Sequence, residues 1–183
     1  MARKIKALNH FYGPPAAGNL VVRMSIPSCA QALTILPGDL GDARVRALLQ
    51  QHLAGMHESS PVGSVYALDT LALQAPDIAL YTAWMGEELL GCGALKHLSE
   101  VSGEVKSMRT ASAHLRRGVA GRLLEHLLGV ARARGYRQVS LETGSGPAFE
   151  PALALYRRYG FEPGEAFGDY RATAFNRFLH LSL

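Results

Sequence analysis

Cysteine is scarce in this chain of 183 residues, which contains only Cys29 and Cys92. Two cysteines cannot form the dense disulfide framework of a small secreted domain. Cys92 lies between Gly91 and Gly93 in an apolar stretch, where we expect an inert, buried thiol. This cysteine usage fits a reducing compartment, and we expect a cytoplasmic protein.

Acidic residues are absent from the first 23 positions, which contain Gly13-Pro14-Pro15 and no continuous apolar stretch. A signal peptide or a membrane-spanning helix is therefore not expected there. We expect residues 1–23 to form a flexible arm or an upstream extension, with Met24 as an alternative start, and residues 24–183 to form a single domain. Its 48% hydrophobic residues can supply a sizeable core.

The formal net charge of +4 comes from this leading segment. It holds four of the 19 basic residues, so the remaining 15 equal the 15 acidic residues of the chain. A neutral body gives little support for a nucleic-acid partner, and we expect none. No metal is expected either, because His52 and His57 lack the four-residue helical spacing of a metal pair and have no cysteine nearby.

The most informative stretch is Leu115–Leu124, where small residues and arginines precede a periodic apolar segment. The first amides of a helix have no partner within it and carry partial positive charge, so they bind phosphate groups. Small side chains let an oxyanion approach these amides, and arginines add charge-assisted contacts. The residues concerned are Gly118, Ala120 and Gly121, with Arg116, Arg117 and Arg122. They predict a site for phosphate or pyrophosphate.

The neighbouring sequence predicts a strand, a helix and a second strand. Apolar residues recur at helical spacing from Ala120 to Ala131, and Gly135 offers a stop. Residues 103–110 and 137–142 are predicted strands, which such a crossover would make parallel. A dinucleotide fold is disfavoured, because eight residues, Thr110 to Arg117, separate the strand from the glycines.

The remaining pattern predicts five more elements and a long loop. Residues 32–36 form a predicted strand and residues 42–56 a helix with one apolar face. Ile78–Met85 and Glu88–Leu95 alternate as a hairpin about Gly86, and residues 175–183 form a closing strand. Residues 58–77 are predicted to be rich in loops.

These features together resemble the GCN5-related N-acetyltransferases (GNAT), whose signature is Gln/Arg-x-x-Gly-x-Gly/Ala. Gly118-Val119-Ala120 match its second half, while Leu115 stands where the arginine or glutamine is expected. Residues 104–110 resemble the fourth strand of the family, residues 138–142 the fifth, and residues 152–161 the closing helix and strand. The resemblance covers roughly residue 33 to the C-terminus.

The resemblance implies an α/β (α+β) fold with a mixed, mostly antiparallel central sheet flanked by helices, and a parallel strand pair splayed around the cofactor. It implies an enzyme that transfers acetyl from acetyl-CoA to an amine acceptor by direct attack on the thioester. Residues Arg116, Arg117, Gly118, Val119, Ala120, Gly121 and Arg122 would then hold the pyrophosphate. A bulge at Met108, Arg109 and Thr110 would leave backbone groups for the pantetheine arm.

Tyr156 matches the family tyrosine that donates a proton to the departing thiolate, a role that suits a phenol at neutral pH. Packing in the core is its alternative role. For the general base, Glu104 is the best-placed carboxylate on the strand beside the expected thioester, although Lys106 lies on the same face and can pair with it. Glu142 is the rival, His97 and His114 at loop positions offer proton shuttles, and a water chain would need no dedicated base.

Two further questions stay open at this level. A non-catalytic acyl-CoA binding or sensing module would use the same cofactor site without turnover. The acceptor is expected to be a small-molecule amine, without a nucleic-acid or membrane partner, and a homodimer is left open. The loops at residues 58–77 and 143–149 are expected to shape acceptor choice.

Overall fold

The computed structural model describes residues 32–61 and 65–183. The predicted arm at residues 1–23 lies outside them, so the predicted division into arm and domain stays a prediction. In chain order the elements are β1 (Thr34–Pro37), α1 (Ala43–Ser59), β2 (Ile78–Met85), β3 (Glu88–Ser99), β4 (Ser102–Thr110), α2 (Val119–Ala133), β5 (Gln138–Thr143), α3 (Glu150–Arg158), β6 (Glu162–Pro163) and β7 (Arg177–Ser182). Two short 3-10 turns lie at Ala72–Gln74 and Ser112–His114.

The strands form one seven-stranded sheet in the order β1-β2-β3-β4-β5-β7-β6. Every described neighbouring pair is antiparallel except β4 and β5, which are parallel. The predicted hairpin is confirmed, with Gly86 at φ +60° between β2 and β3. The predicted strand, helix and strand around the arginine-rich loop are confirmed as β4, α2 and β5.

Helices cover both faces of the sheet because each has one apolar side. α2 buries Leu124, Leu127 and Leu128 against the sheet, in a cluster with Leu95 of β3 and others. α1 buries Val45, Leu48 and Leu49 against the opposite face, in a cluster with Cys92 and Ala94. The Cys92 thiol is fully buried, as predicted.

Local chemistry fixes the ends of these helices. The Asp42 carboxylate accepts a hydrogen bond from the Arg44 amide at 2.8 Å and caps the start of α1. Gly135, at φ +78°, adopts the left-handed conformation that ends α2, so the predicted stop is confirmed. None of the helices in the described part of the chain has the length and apolar character of a bilayer-spanning segment.

Strands β4 and β5 pair only at their first residues. Their register joins Ser102 to Gln138, Gly103 to Val139 and Glu104 to Ser140, and no pairing between them follows in the described chain. β4 continues to Thr110 and β5 to Thr143, so the two strands diverge beyond this point. The parallel, splayed pair implied by the resemblance is therefore present, and it leaves an opening in the sheet.

β4 also carries a bulge within this opening. Ala94 of β3 pairs with Lys106 and Cys92 with Arg109, so three residue steps on β4 face two on β3. Ser107 lies at φ +52°, in the left-handed region. The extra residue places Lys106 and Arg109 on the α1 face of the sheet, while Met108 contacts the α2 face.

Candidate active site

The opening between β4 and β5 holds a cavity of about 290 Å³. Four elements meet there: α1, the bulged part of β4, the end of β5 and the start of α3. Among the lining residues are His52, Gly55, Lys106, Ser107, Met108, Arg109, Glu142, Thr143, Phe149 and Tyr156. Of the residues predicted from the sequence, the cavity brings together Met108, Arg109, Tyr156 and the rival base Glu142.

The start of α2 has the predicted anion-binding geometry. Its first helical hydrogen bond runs from the Arg122 amide to the Gly118 carbonyl at 3.1 Å. The amides of Val119, Ala120 and Gly121 therefore have no acceptor within the described residues, and no described side chain caps the helix. Three unpaired N–H groups at a helix start can bind phosphate oxygens.

The two glycines of this loop serve different purposes. Gly118 lies at φ +80°, and a Cβ at this position would meet no atom within 4 Å. It is needed for the backbone conformation, and it leaves open space in front of the amides. A Cβ on Gly121 would lie 2.8 Å from the Tyr159 hydroxyl, so a larger residue here would displace that side chain at the end of α3. The prediction that Gly121 serves to give an oxyanion access to the amides is therefore incomplete.

The arginines around the loop are solvent-exposed, and one of them is held in place. Arg117 donates from Nη1 to Nδ1 of the buried His114 at 2.9 Å. Because a guanidinium can only donate, Nδ1 must accept, and Nε2 of His114 donates to Glu88 at 2.9 Å. His114 is thereby kept in one neutral tautomer that orients Arg117, an arrangement that does not suit a proton shuttle.

The bulge leaves polar groups without partners. The Ser107 hydroxyl is buried and has no hydrogen-bond partner in the described chain, while its carbonyl accepts from the Cys92 thiol at 3.6 Å. Since β5 has already diverged, the backbone of β4 past this point lacks a strand on that side. Unpaired backbone groups of this kind can bind an extended ligand as an added strand.

Tyr156 lies in α3 with its ring buried against the core. Its ring centroid is 5.7 Å from that of Phe161 in an edge-on contact. The residue is 6% exposed and lines the cavity. Burial raises the pKa of its hydroxyl well above the ordinary value, so the phenol stays protonated throughout the neutral range. A buried, protonated phenol at the cavity wall can donate a proton.

Glu104 is occupied by other partners. Its Oε1 accepts from Lys106 Nζ at 3.0 Å and from the Tyr170 hydroxyl. Lys106 Nζ also donates to the Tyr170 hydroxyl, at 2.5 Å. Glu104 does not line the main cavity; it borders a second one of about 240 Å³ beneath residues 167–170. The predicted pairing with Lys106 is confirmed, and a catalytic role of Glu104 stays a prediction.

Glu142 stands at the main cavity, held by a single described partner. Its Oε1 accepts from the Asn176 side-chain amide at 2.6 Å, and Asn176 in turn accepts from the Thr173 hydroxyl. Burial raises the pKa of Glu142, an effect opposed by the Asn176 hydrogen bond and by the nearby Lys106 charge. A carboxyl group of this kind can exchange a proton closer to neutral pH than an ordinary glutamate.

One residue of the cavity wall, His52, was missed in the sequence, and Arg109 was predicted there only for its backbone. His52 of α1 has its pKa lowered to about 4, first by burial and then by the charge of Arg109, so it is neutral at pH 7. The Arg109 side chain lies beside α1, with Nη1 3.8 Å from the place of a Cβ on Gly55. The sequence drew attention to Arg109 only as part of the strand, because nothing local indicates that its side chain faces a helix distant in sequence.

His97 lies away from this site, and its predicted loop position is wrong. It belongs to β3, opposite Gly103, because the strand extends four residues beyond the predicted end at Leu95. Its Nδ1 and the Tyr136 hydroxyl are 2.6 Å apart, and both residues line a separate pocket together with Arg134. His97 therefore cannot exchange protons with groups in the main cavity.

Comparison with known proteins places this geometry in a family. The sequence profile described as "Acetyltransferase (GNAT) family" matches residues 45–161. The chain is 48% identical over 132 residues to the uncharacterized N-acetyltransferase YsnE of Bacillus subtilis, covering 72% of this chain and 87% of that protein. It is 45% identical over 150 residues to the uncharacterized N-acetyltransferase YedL of Escherichia coli, covering 82% and 94%.

Solved structures share the fold. A putative acyl-CoA N-acyltransferase from Klebsiella pneumoniae superposes with a TM-score of 0.67 at 26% identity, covering 82% of this chain and 97% of that one. A GNAT family acetyltransferase from Elizabethkingia anophelis, solved with acetyl-CoA bound, superposes with a TM-score of 0.61 at 20% identity, covering 82% and 98%. The second likeness concerns the fold alone.

Proposed function

Because the chain belongs to the acetyltransferase (GNAT) family, we propose that it transfers the acetyl group of acetyl-CoA to the amine of a small molecule. The observation that supports this most is that two features with different ligand preferences follow each other in the structure. Unpaired amides at the start of α2 suit a pyrophosphate, and the bulged β4 beside the diverging β5 suits an extended arm. Acetyl-CoA has both parts.

In this proposal the cofactor spans the two predicted contact regions. Val119, Ala120 and Gly121 bind pyrophosphate oxygens through their amides, with Arg117 held nearby by His114. The pantetheine arm runs along the β4 bulge, where the backbone of Met108–Thr110 can pair with its amides. The thioester then lies in the cavity beside Tyr156 and Glu142.

The chemistry requires positioning, the removal of two protons from nitrogen and the donation of one to sulfur. The acceptor enters as an ammonium ion and must lose its first proton before its nitrogen can attack the thioester carbon. The new N–C bond forms, the C–S bond breaks, and the electron pair of that bond stays on sulfur. Tyr156 donates a proton to the thiolate, and the second proton that the nitrogen loses as it becomes an amide restores the phenol through solvent.

The geometry favours Glu142 over Glu104 as the group that takes the ammonium proton. Glu142 lines the cavity and has only Asn176 as its described hydrogen-bond donor. Glu104 is paired with a cation and a phenol in the second cavity, so taking a proton would break an ion pair. Glu104 then serves by holding Lys106 and Tyr170 in place.

The experiment compares coenzyme A with pantetheine by titration calorimetry. Coenzyme A should bind at least about 10-fold more tightly, because each charge-assisted hydrogen bond to a phosphate contributes about 1.5–3 kcal/mol. Thiol release from acetyl-CoA is then followed with a panel of amines, and acetylated products are identified by mass. Equal affinity for the two ligands would contradict the anion site. Tight binding without product from any amine would favour the non-catalytic acyl-CoA module.

A further inference from the structure

Arg109 presents a charge to the cavity that no described residue neutralises. Its Nε is buried and has no hydrogen-bond partner among the described residues. Within residues 32–61 and 65–183, no carboxylate lies within ion-pair distance of its guanidinium. A buried donor without a partner is costly, and an unneutralised guanidinium at a cavity can pair with an anionic group of a ligand.

The surroundings of Arg109 leave it as the available cation of the cavity. His52 is neutral at pH 7, because burial and the Arg109 charge lower its pKa to about 4. Lys106 also lines the cavity, but its Nζ is already bound by Glu104 and Tyr170. The α1 wall next to the guanidinium has Gly55, which leaves room for it.

A carboxyl group, opposite in charge to Arg109, lies on the neighbouring strand. Glu142 belongs to β5, whereas Arg109 belongs to β4, and the two strands diverge around the cavity. A ligand that spans the cavity therefore meets an unpaired guanidinium on one side and a carboxylate on the other. Electrostatic complementarity predicts a ligand with a negative and a positive group.

We propose that the acceptor is an amine that also carries a carboxylate, such as an α-amino acid, and that Arg109 binds this carboxylate while the amine faces Glu142. The inference rests on the proposed acetyl transfer and adds the class of acceptor to it. A bidentate guanidinium–carboxylate pair would neutralise the Arg109 charge and orient the amine toward the thioester. A polycationic amine would be repelled by the Arg109 charge, and a peptide N-terminus has no carboxylate next to its amine. Both are therefore less suitable acceptors.

The first arm of the test uses ligand pairs and needs no variant. An L-amino acid and its amide share the side chain and the α-amine, and the amide replaces the carboxylate with a neutral group. Binding is measured by calorimetry with the protein alone and with coenzyme A present, and acetyl transfer is measured with acetyl-CoA. We expect at least one amino acid to bind about 30-fold or more tightly than its own amide, the effect of pairing a buried charge.

The second arm assigns the preference to Arg109. Arg109→Met keeps the length and apolar stem of the side chain and removes its charge, while Arg109→Lys keeps the charge without the fork. The ratio of acid to amide affinity should fall to near one in Arg109→Met and be partly retained in Arg109→Lys. Arg132→Met, at an exposed arginine of α2, is the matched control and should keep the wild-type ratio.

The outcomes separate this inference from the proposed function. If amines are acetylated but every amino acid binds no better than its amide, the carboxylate inference is wrong and the acetyltransferase proposal stands. If coenzyme A does not bind, the proposed function fails, and the acid–amide comparison on the protein alone still tests Arg109. A preference for acids that persists in Arg109→Met would also overturn the assignment.

Discussion

Lys106 Nζ lies 3.0 Å from Glu104 Oε1, and both side chains are almost entirely buried, at 8% and 3% exposure. The Tyr170 hydroxyl bonds to both of them and ties residues 167–170 to the sheet. The pKa of Tyr170 is raised by burial and by the Glu104 charge, so it remains a donor. The three groups form one buried polar unit behind the main cavity.

Removing one member of this unit should destabilise the fold strongly. Lys106→Met leaves the Glu104 carboxylate buried without its cation, and we expect a loss of about 3–5 kcal/mol in the free energy of unfolding. The double variant Glu104→Gln, Lys106→Met should lose less than the two single variants added together. Urea denaturation measures both quantities. Strict additivity would mean that the two side chains do not interact.

Gly118 and Gly135 provide a matched pair for testing the anion site. They flank α2 with φ values of +80° and +78°, and neither has an atom within 4 Å of an added Cβ. Glutamate at either position should therefore cost about 1–2 kcal/mol in backbone strain, and the helix dipole makes the net cost smaller at Gly118 than at Gly135. Only Gly118→Glu should abolish coenzyme A binding in calorimetry, because it puts a negative charge before the open amides. Equal affinities in the two variants would remove the site from the start of α2.

Replacing Tyr156 by phenylalanine separates the ring from the hydroxyl. The ring stays packed against Phe161, so stability and coenzyme A affinity should change little, while turnover should fall about 100-fold or more. Tyr136→Phe is the control, since Tyr136 is equally buried but bonds to His97 outside the cavity. A wild-type rate in Tyr156→Phe, with chemistry shown to be the slow step, would leave Tyr156 a packing role only.

Glu142 should give both activity and stability a pH dependence. Its pKa in the folded protein is raised by burial, so activity should fall as the pH drops through that value and the base becomes protonated. Stability changes in the opposite direction: the favourable contribution is full below the unfolded pKa and is lost as the pH rises through the folded one. Glu142→Gln should therefore lower turnover yet make the protein more stable at neutral pH. Parallel pH profiles of rate and of urea midpoint check this.

The pKa of His52 can be used to detect the charge of Arg109 beside it. With the folded pKa lowered to about 4 from 6.5, the stability it contributes is present above pH 6.5 and is lost as the pH falls toward 4. Removing the charge in Arg109→Met should raise the His52 pKa, while burial, the larger cause, keeps it below 6.5. Ring proton shifts in an NMR titration measure this. An unchanged value would place the guanidinium too far from His52 to face the same cavity.

The sequence predicted the fold well where local chemistry and tertiary packing agree. The apolar stripe of α2 with a glycine at its end needed no knowledge of the partners it packs against. The alternating pattern of residues in β2 and β3, on either side of Gly86, was an equally clear local signal. β3 extends beyond Leu95 because the polar residues after it still pair with β4, which hydropathy alone cannot reveal.

The site was only partly predictable, because its polar groups are defined by contacts distant in sequence. Arg109 lies near His52, 57 residues earlier in the chain, and Asn176, just before the last strand, donates to Glu142. A local pattern did exist for the bulge: Lys106 and Ser107 are consecutive polar residues between Val105 and Met108, which interrupts the alternation of a regular strand.

This interruption of the alternation also helps to specify the register in which β4 pairs. In an unbulged ladder that kept Ser107 in step, every later side chain would change faces, and Arg109 would be forced among the leucines beneath α2. Burying an unpaired guanidinium there is far more costly than one extra residue in the strand. The Arg109 charge that faces the cavity thus also favours the native strand register, because a ladder without the bulge would bury it among apolar side chains.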